Sequence, residues 1–441
     1  MPPILALILC IVFVVFLLWL ERKRSPEVTR VLWIPTIWML YASSKPLGIW
    51  FPSSGADPVL GSPLDRAFLI VLIFLSLLLL IRRRFDWIIA IKENKWLIVL
   101  FVFMLVSILW SNIPYISFKR WTRELLAILM AFVVLSEPSP RKAIESILRR
   151  STYILIPFSL LLIKYFPKYG VEYGRWTGGR MWTGVTLQKN SLGRLCLIAS
   201  FFLIWSLVRR WQGHIILVWK YQTHAEIVVL AMAFRLMAGP RGEIFYAATA
   251  VGALIVGLFF YLGLYLIKKY GKNIRAGILM TMVSSIVIFG IVSLFTGGAT
   301  VGSFAQSMGR DATLTDRTAI WASLLPAAMQ RPITGSGFGS FWTSKTAEAF
   351  HFGEAHSGYL DELLGLGFVG ILLVTAFLLS ACRKAQRELA RDFDWGAIWI
   401  CYIIMAVVHN IAESSIDTFT SQLTAIVLFL SVSSKNSLSR N

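Results

Sequence analysis

The sequence predicts an all-α fold: a polytopic bundle of about 12–13 transmembrane helices with one large helical loop on the outer face. Three observations indicate this class. Hydrophobic residues make up 57% of the 441 residues, and only 15% are charged, against roughly 25% in soluble domains. Apolar runs recur from residue 2 to residue 434, and a spanning helix needs about 20 apolar residues. Basic residues stand in short clusters between these runs.

Each apolar run predicts one helix. The first run has no basic residue before it and is followed directly by Glu21 to Arg24, so it is interpreted as a retained helix rather than a signal peptide. The candidate spans are 2–20, 31–51, 66–81, 95–110, 121–136, 152–166, 192–208, 225–238, 243–268, 276–296, 358–381, 395–411 and 419–434.

The basic clusters predict which side of the membrane each loop faces. The net charge of +20 would suggest a nucleic-acid partner in a soluble protein, but here it indicates cytoplasmic loops and no nucleic acid. Alternation along the chain then assigns six segments to the outer face. They are 52–65, 111–120, 167–191, the hairpin 239–242, 297–357 and the turn near Glu413.

The chain is predicted to be a single integral membrane domain, 1–441, with two large outer loops at 297–357 and 167–191. Loops of such length are usually functional. Within the first, a helix is predicted over 316–330, capped by Thr315 and ended by the glycine-rich segment 335–340. Because this segment follows a helix rather than a strand, it is interpreted as a turn and not as a dinucleotide-binding motif.

Arginine is expected to be scarce on the outer face, yet several basic residues lie there. Guanidinium groups match phosphate oxygens, so the set indicates an anionic ligand; solvated charges or lipid headgroup contacts are the alternative. Arg241 lies in a short hairpin, where snorkelling to the interface is the competing interpretation. Arg317 lies in the first turn of the loop helix, where the helix dipole also attracts anions. The set comprises Arg175, Arg180, Lys189, Arg241, Arg310, Arg317 and Arg331.

His356 precedes the helix that re-enters the membrane. That end of a helix dipole disfavours imidazolium, so a neutral ring able to act as a general base is expected, against a purely structural histidine. Tyr359 follows one turn later on the same face. His409 with Glu413 forms a second candidate pair, for which an interfacial structural role is the favoured interpretation.

Two further features are expected to be structural. The four cysteines share no CxxC spacing and indicate neither a disulfide nor zinc. Asp392 and Asp394 imitate a metal-binding DxD motif but lie among basic residues, so they are interpreted as a solvated loop. No metal and no cofactor is predicted.

Five segments together resemble the O-antigen ligase and polymerase superfamily, which includes bacterial exopolysaccharide polymerases. The resemblance covers roughly 100–415 and depends on the ordered combination of an arginine–tryptophan helix, a glycine turn and a histidine-led helix. The segments are ILWSNIPYISFKR (108–120), GRWTGGRMWTGVTLQKNSLG (174–193), PRG (240–242), DRTAIWASLLPAAMQRPITGSGFGSFW (316–342) and AHSGYLDELLGLGFVG (355–370).

The resemblance implies a glycosyltransferase of the bacterial inner membrane with a periplasmic active site. It would transfer a glycan from undecaprenyl diphosphate to a hydroxyl acceptor without metal, inverting the anomeric carbon. Arg241 and Arg317 would hold the diphosphate, and His356 would serve the acceptor hydroxyl. Implied partners are the lipid-linked glycan, membrane lipid, a chain-length regulator and a flippase. The predicted substrate-binding residues are Arg175, Arg180, Lys189, Asn190 and Tyr359.

The sequence departs from its relatives at Pro240, where many have serine, and at Ser357, where many have asparagine. Lys189 with Asn190 and the preceding loop resemble the exopolysaccharide polymerase branch, which favours a polymerase. An O-antigen ligase acting on lipid A-core is the first alternative. A transporter or flippase of lipid-linked sugar is the second, although the spans carry few charges.

Overall fold

The computed structural model describes residues 1–51, 62–174, 178–213, 221–240, 246–270, 276–296, 317–416 and 418–432. Most of these residues are helical, and a single short hairpin among them pairs β1 (Val171–Tyr173) with β2 (Arg180–Trp182). The predicted all-α fold is confirmed. The hairpin lies in the predicted outer loop 167–191, and no sequence pattern indicated it.

The helices follow the predicted apolar runs in order. They are α1 (Pro3–Arg24), α2 (Trp33–Ala42), α3 (Leu47–Trp50), α4 (Pro63–Arg82), α5 (Trp87–Glu93), α6 (Lys95–Val106), α7 (Pro114–Leu135), α8 (Pro140–Tyr165), α9 (Pro167–Gly170), α10 (Lys189–Trp211), α11 (Gln222–Met237), α12 (Ala248–Lys269), α13 (Ala276–Phe295), α14 (Arg317–Ala328), α15 (Ser344–Phe350), α16 (Gly358–Arg391), α17 (Phe393–Ala412) and α18 (Gln422–Val432).

Eight helices in the described ranges are long and apolar enough to cross a bilayer, namely α1, α4, α8, α10, α12, α13, α16 and α17. Two shorter apolar helices, Lys95–Trp110 and Gln422–Val432, accompany them. The chain is therefore a multi-pass membrane protein. The predicted span 31–51 is instead two short helices separated by Ser43 to Pro46, because proline disfavours helical conformation in the residue before it.

The described residues pack into two compact units, unit 1 within 1–85 and 129–262, and unit 2 within 86–128 and 263–441. In unit 1, α8 packs against α1, α2, α10 and α11. Buried or partly buried ion pairs join basic helix ends in this unit. The pairs are Arg150 with Glu21 (2.7 Å), Arg83 with Glu137 (2.8 Å), Arg210 with Glu226 (2.9 Å), Arg24 with Glu226 (3.2 Å) and Arg209 with Glu145 (3.2 Å).

In unit 2, α16 is the central helix and packs against α6, α13 and α17. It continues to Arg391, ten residues beyond the predicted span, because the polar segment after Ala381 consists largely of good helix formers. Within that segment, Lys384 is buried and its Nζ donates to Asn94 Oδ1 (2.7 Å) and to the Ser431 carbonyl (2.9 Å).

Helix α16 is interrupted at Gly367, where φ is 67° and ψ is −164°. A β-carbon there would lie 2.4 Å from the carbonyl oxygen of Ile333, so the position requires glycine. The segment 332–337, here called the 332–337 turn, supplies the backbone partners that the broken helix lacks. The bonds run from Ser336 N to Leu364 O (3.0 Å), Gly337 N to Gly365 O (2.9 Å), Phe368 N to Pro332 O (2.8 Å) and Val369 N to Ile333 O (3.1 Å).

Candidate active site

Arg317 is the first residue of α14, which packs against α16 within unit 2. The observed helix Arg317–Ala328 confirms most of the predicted one, while Thr315 and Asp316 lie outside the described residues. The Arg317 Nη2 atom contacts Oε1 of Glu413, the residue that directly follows α17. Both side chains are largely buried, with 12% and 7% exposure, so the pair holds the start of α14 to the end of α17.

His356 lies in the loop just before α16, with φ at +50°. Left-handed backbone costs a non-glycine residue roughly 1–2 kcal/mol, and such conformations concentrate at functional sites. The ring Nδ1 is 3.2 Å from Glu354 Oε1 and 3.9 Å from Glu413 Oε2. Arg317, Glu354, His356 and Glu413, here called the Glu413 cluster, thus bring two predicted catalytic residues together around one carboxylate.

The helix-end effect that was expected to hold the His356 ring neutral is not the dominant influence on its pKa. Burial would lower the pKa of the ring, but the carboxylates of Glu413 and Glu354 outweigh burial and the nearby Arg317, so the pKa is raised. The helix dipole considered from the sequence is weaker than two facing carboxylates. Burial would likewise raise the pKa of Glu413, but His356, Arg317 and His409 lower it to about 2. Glu413 is therefore ionised and stabilises imidazolium.

His409, the predicted partner of Glu413, is buried, and its Nδ1 is 2.6 Å from Ser415 Oγ. Its charge is one of those that lower the pKa of Glu413, which itself contacts Arg317 and faces His356. The turn 413–416 is fixed by Asn410, whose Oδ1 accepts from the main-chain N–H groups of Ser415 (3.1 Å) and Ile416 (3.0 Å). His409 thus contributes to both the position and the charge of Glu413.

Asp361, in the first turn of α16, connects the loops that carry the cluster. Its Oδ1 accepts from the main-chain N–H of Ala355 (3.3 Å), directly before His356, and from Trp342 Nε1 (2.7 Å). Its Oδ2 contacts the hydroxyl of Ser414, directly after Glu413. Asp361 therefore sets the spacing between the histidine and the central carboxylate. The sequence named neither Trp342 nor Asp361 as a site residue.

The other predicted site residues fall in different places. Tyr359 is buried in unit 2, where its hydroxyl donates to the Val407 carbonyl (3.0 Å), so the ring packs α16 against α17. Its part in substrate binding stays a prediction. In unit 1, Arg180 is exposed on β2, Lys189 Nζ lies 4.9 Å from the centre of the Tyr246 ring, and Asn190 is half-buried. Arg175 and Arg241 lie outside the described residues, as does Arg310.

Two segments that imitate ligand-binding motifs have structural roles. The glycine-rich segment 335–340 forms a turn, as predicted. Asp392 caps α17, since its Oδ1 accepts from the Trp395 N–H (3.1 Å), which explains the DxD sequence without a metal. The cysteines are free, and Cys196, Cys382 and Cys401 are buried among apolar residues.

The fold and site define a polytopic α-helical membrane protein with a cluster of arginine, histidine and glutamate side chains. A protein family described as O-antigen ligase matches residues 244–375, a range that includes both Arg317 and His356. The chain is 23% identical over 319 residues to the exopolysaccharide production protein ExoQ of Rhizobium meliloti. That alignment covers 68% of this chain and 67% of the relative. No solved structure is significantly similar.

These matches confirm the resemblance that the sequence motifs indicated. The chain is similar to the O-antigen ligase and polysaccharide polymerase superfamily over the matched residues, and to an exopolysaccharide protein over about two thirds of its length, which supports a polysaccharide-related membrane enzyme.

Proposed function

We propose that the chain is a glycosyltransferase of the bacterial inner membrane. It polymerises polysaccharide repeat units carried on undecaprenyl diphosphate, at the periplasmic face. The observation that carries this proposal is the Glu413 cluster, where one carboxylate holds both Arg317 and His356. The name of the relative, an exopolysaccharide production protein, favours polymerisation.

The chemistry follows from the orientation of His356. Its Nδ1 faces Glu354 and Glu413, so Nε2 is the nitrogen that takes a proton, while a carboxylate orients the ring as in other acid–base pairs. The acceptor oxygen attacks the anomeric carbon as the bond from that carbon to the phosphate oxygen breaks. The acceptor proton passes to Nε2, and undecaprenyl diphosphate leaves with the bonding electrons. Attack opposite the diphosphate inverts the anomeric configuration.

The leaving group is already an anion, so fixed cations are sufficient to stabilise its departure without a metal. Arg317 is one such cation in unit 2, and the ionised Glu413 holds its guanidinium in place. Arg241 is proposed as the second cation on sequence grounds. Arg175, Arg180, Lys189 and Asn190 are proposed to bind the lipid-linked glycan, and membrane lipid, a chain-length regulator and a flippase are proposed partners.

The second candidate function is ligation of a finished glycan to lipid A-core, which the family description as O-antigen ligase favours. A transporter of lipid-linked sugar is the candidate from another class, and the interrupted helix α16 is a feature that transporters share. In both polysaccharide reactions the donor and the chemistry are alike, so only the acceptor distinguishes them.

The test uses purified full-length protein in detergent with undecaprenyl-diphosphate-linked repeat units. A polymerase lengthens them into a ladder of products that gel electrophoresis resolves. A ligase leaves them unchanged until lipid A-core is added, and then moves the glycan to that acceptor. Absence of both products, together with movement of the lipid-linked sugar across liposome membranes, would overturn the enzyme proposal.

A further inference from the structure

Unit 2 contains a cavity of about 260 Å³ beside the first half of α16, here called the Asp361 cavity. This volume far exceeds the ~10–15 Å³ that admits one water and approaches the ~300 Å³ at which small-molecule sites begin. Arg123 lines the cavity and is itself exposed, so the cavity opens to the surface. No member of the Glu413 cluster lines it, which makes it a separate space.

The walls of the Asp361 cavity are held by hydrogen bonds from several elements. Arg120, in the second turn of α7, donates to the carbonyls of Gly339 and Trp342, the latter at 3.2 Å. Glu124, one turn later, accepts from the main-chain N–H of Phe419 (2.6 Å). The Trp342 indole is fixed by its bond to Asp361. A ligand entering this cavity would meet preformed walls, which lowers the entropic cost of binding.

The chemistry of the lining excludes two classes of ligand and favours a third. The ionisable side chains are two guanidinium groups and three carboxylates, so an added diphosphate would meet net negative charge, and an acyl chain would desolvate ions. Aromatic rings of Phe338, Phe341 and Trp342 share the same walls. Pyranose rings suit such a surface, since their C–H faces pack on aromatic rings and their hydroxyls bond to carboxylates and guanidinium.

Asp361 relates the cavity to the Glu413 cluster. The same carboxylate that lines the cavity bonds to Ala355 N–H, next to His356, and to the Ser414 hydroxyl, next to Glu413. A sugar lying against Asp361 would therefore touch the carboxylate that is bonded to Ala355, the neighbour of the base. This position suits the sugar that supplies the attacking hydroxyl rather than the diphosphate end of the donor.

We propose that the Asp361 cavity binds the terminal sugar of the acceptor glycan and directs its hydroxyl toward His356. The inference rests on the proposed function, because it assigns a subsite of the same reaction. It predicts that acceptor binding and donor binding respond to different substitutions.

Gly365 offers a direct way to close the cavity. It lines the cavity, and a β-carbon added there meets open space, so Gly365→Leu fills the volume without displacing the backbone. Gly277→Leu is the matched control: this glycine also lies on an apolar helix, is exposed and meets open space. The probe is carrier-free oligosaccharide released from the polysaccharide of the producing cells. Saturation-transfer NMR and quenching of tryptophan fluorescence measure its binding to purified full-length protein.

We expect Gly365→Leu to weaken oligosaccharide binding at least tenfold and Gly277→Leu to leave it unchanged. Arg123→Ala, at the exposed mouth of the cavity, needs no rearrangement of the core and should weaken binding about tenfold, as loss of a charged hydrogen bond does. Unchanged binding in both Gly365→Leu and Arg123→Ala would overturn the subsite, as would absence of binding to the wild-type protein.

The lengthening assay separates this inference from the proposed function. Normal lengthening by Gly365→Leu would remove the subsite and leave the polymerase standing. If the wild-type protein lengthened nothing but bound oligosaccharide, and Gly365→Leu weakened that binding, the sugar subsite would stand. The proposal that the protein is a polymerase would be overturned.

Discussion

Arginine occurs in two contrasting surroundings in this protein. In unit 1, Arg150 and Glu21 are each 2% exposed and form one of several buried pairs that join helix ends. In unit 2, Arg317 pairs with Glu413 beside His356, whose side chain is 25% exposed. The first arrangement is closed and consists of paired charges. The second includes a titratable ring within reach of solvent, so similar ion pairs stabilise the fold in one unit and prepare chemistry in the other.

The largest expected effect is on the histidine of the Glu413 cluster. His356→Ala removes the proposed base, and loss of general-base catalysis lowers rates by about 10²–10⁴-fold. His351→Ala is the control, because His351 is exposed, lies in the same loop and also has a positive φ (65°). The lengthening rate, normalised to folded protein, measures the difference. Equal rates in the two variants would remove His356 from the reaction.

In unit 1 the corresponding change should affect stability instead. Arg150→Met leaves the Glu21 carboxylate buried without its cation, which costs about 3–5 kcal/mol. Lys142→Met is the control, since its pair with Glu27 is about half exposed and such pairs contribute ~0–1 kcal/mol. The measurement is reversible unfolding in mixed detergent micelles. A larger loss from Lys142→Met than from Arg150→Met would contradict the contrast between closed and open ion pairs.

Arg317→Ala should lower the lengthening rate by about 10²–10³-fold, the usual effect of removing one group that stabilises developing negative charge. Arg331→Ala serves as its control: Arg331 is exposed, and its one hydrogen bond is a long 3.5 Å contact with the Trp110 carbonyl. Membrane insertion is checked by size-exclusion chromatography of both variants. If Arg331→Ala lowered the lengthening rate more than Arg317→Ala, the assignment of Arg317 to the anion site would be wrong.

The smallest expected effect is on pH dependence. His356 must be neutral to accept a proton, and its pKa is raised above the usual value near 6.5, so activity should increase as pH rises through that raised pKa. Glu354→Gln removes one carboxylate that raises this pKa and should shift the acid limb to lower pH. Glu348→Gln, an exposed residue of α15, should not shift the limb. An acid limb that is identical in both variants would contradict the assignment of His356 as the base.

The same shifts predict how thermal stability changes with pH. Because its pKa is raised on folding, protonated His356 stabilises the fold fully below about pH 6.5, and this stabilisation is lost as pH rises through the raised pKa. Because its pKa is lowered on folding, ionised Glu413 stabilises the fold above about pH 4.5, and this stabilisation is lost as pH falls toward about 2. Both contributions are present between these limits, and His356→Ala should flatten the decline above pH 6.5.

The sequence predicted the helices well because apolar runs and basic clusters are local features. It predicted the proximity of Arg317 and His356 only through resemblance, and it did not name Arg317 as a partner of Glu413. Glu413 is 96 residues from Arg317 along the chain, so its pairing depends on tertiary packing that no local pattern reports. The direction of the His356 pKa shift was missed for the same reason, because the carboxylate neighbours of the ring outweigh the helix end on which the prediction rested.

The break in α16 was also invisible to the sequence. The segment LLGLGFVG contains no proline and reads as continuous apolar helix, and the interruption exists because the 332–337 turn replaces the missing hydrogen bonds. Asp361 and Trp342 were missed as site residues because one lies in an ordinary first helical turn and the other in a loop, and only the fold brings them together.

The 332–337 turn has a consequence for anyone who wishes to label this protein. A glycine-rich segment in a long loop would ordinarily be chosen for an epitope tag or a fluorophore insertion, since exposed loop tips tolerate added chain. Here the backbone of that segment completes a neighbouring helix, so an insertion would uncouple four main-chain hydrogen bonds at once. Gly213, just after α10, is the better location for a probe, because an added β-carbon there meets nothing and the residue is no part of the Glu413 cluster.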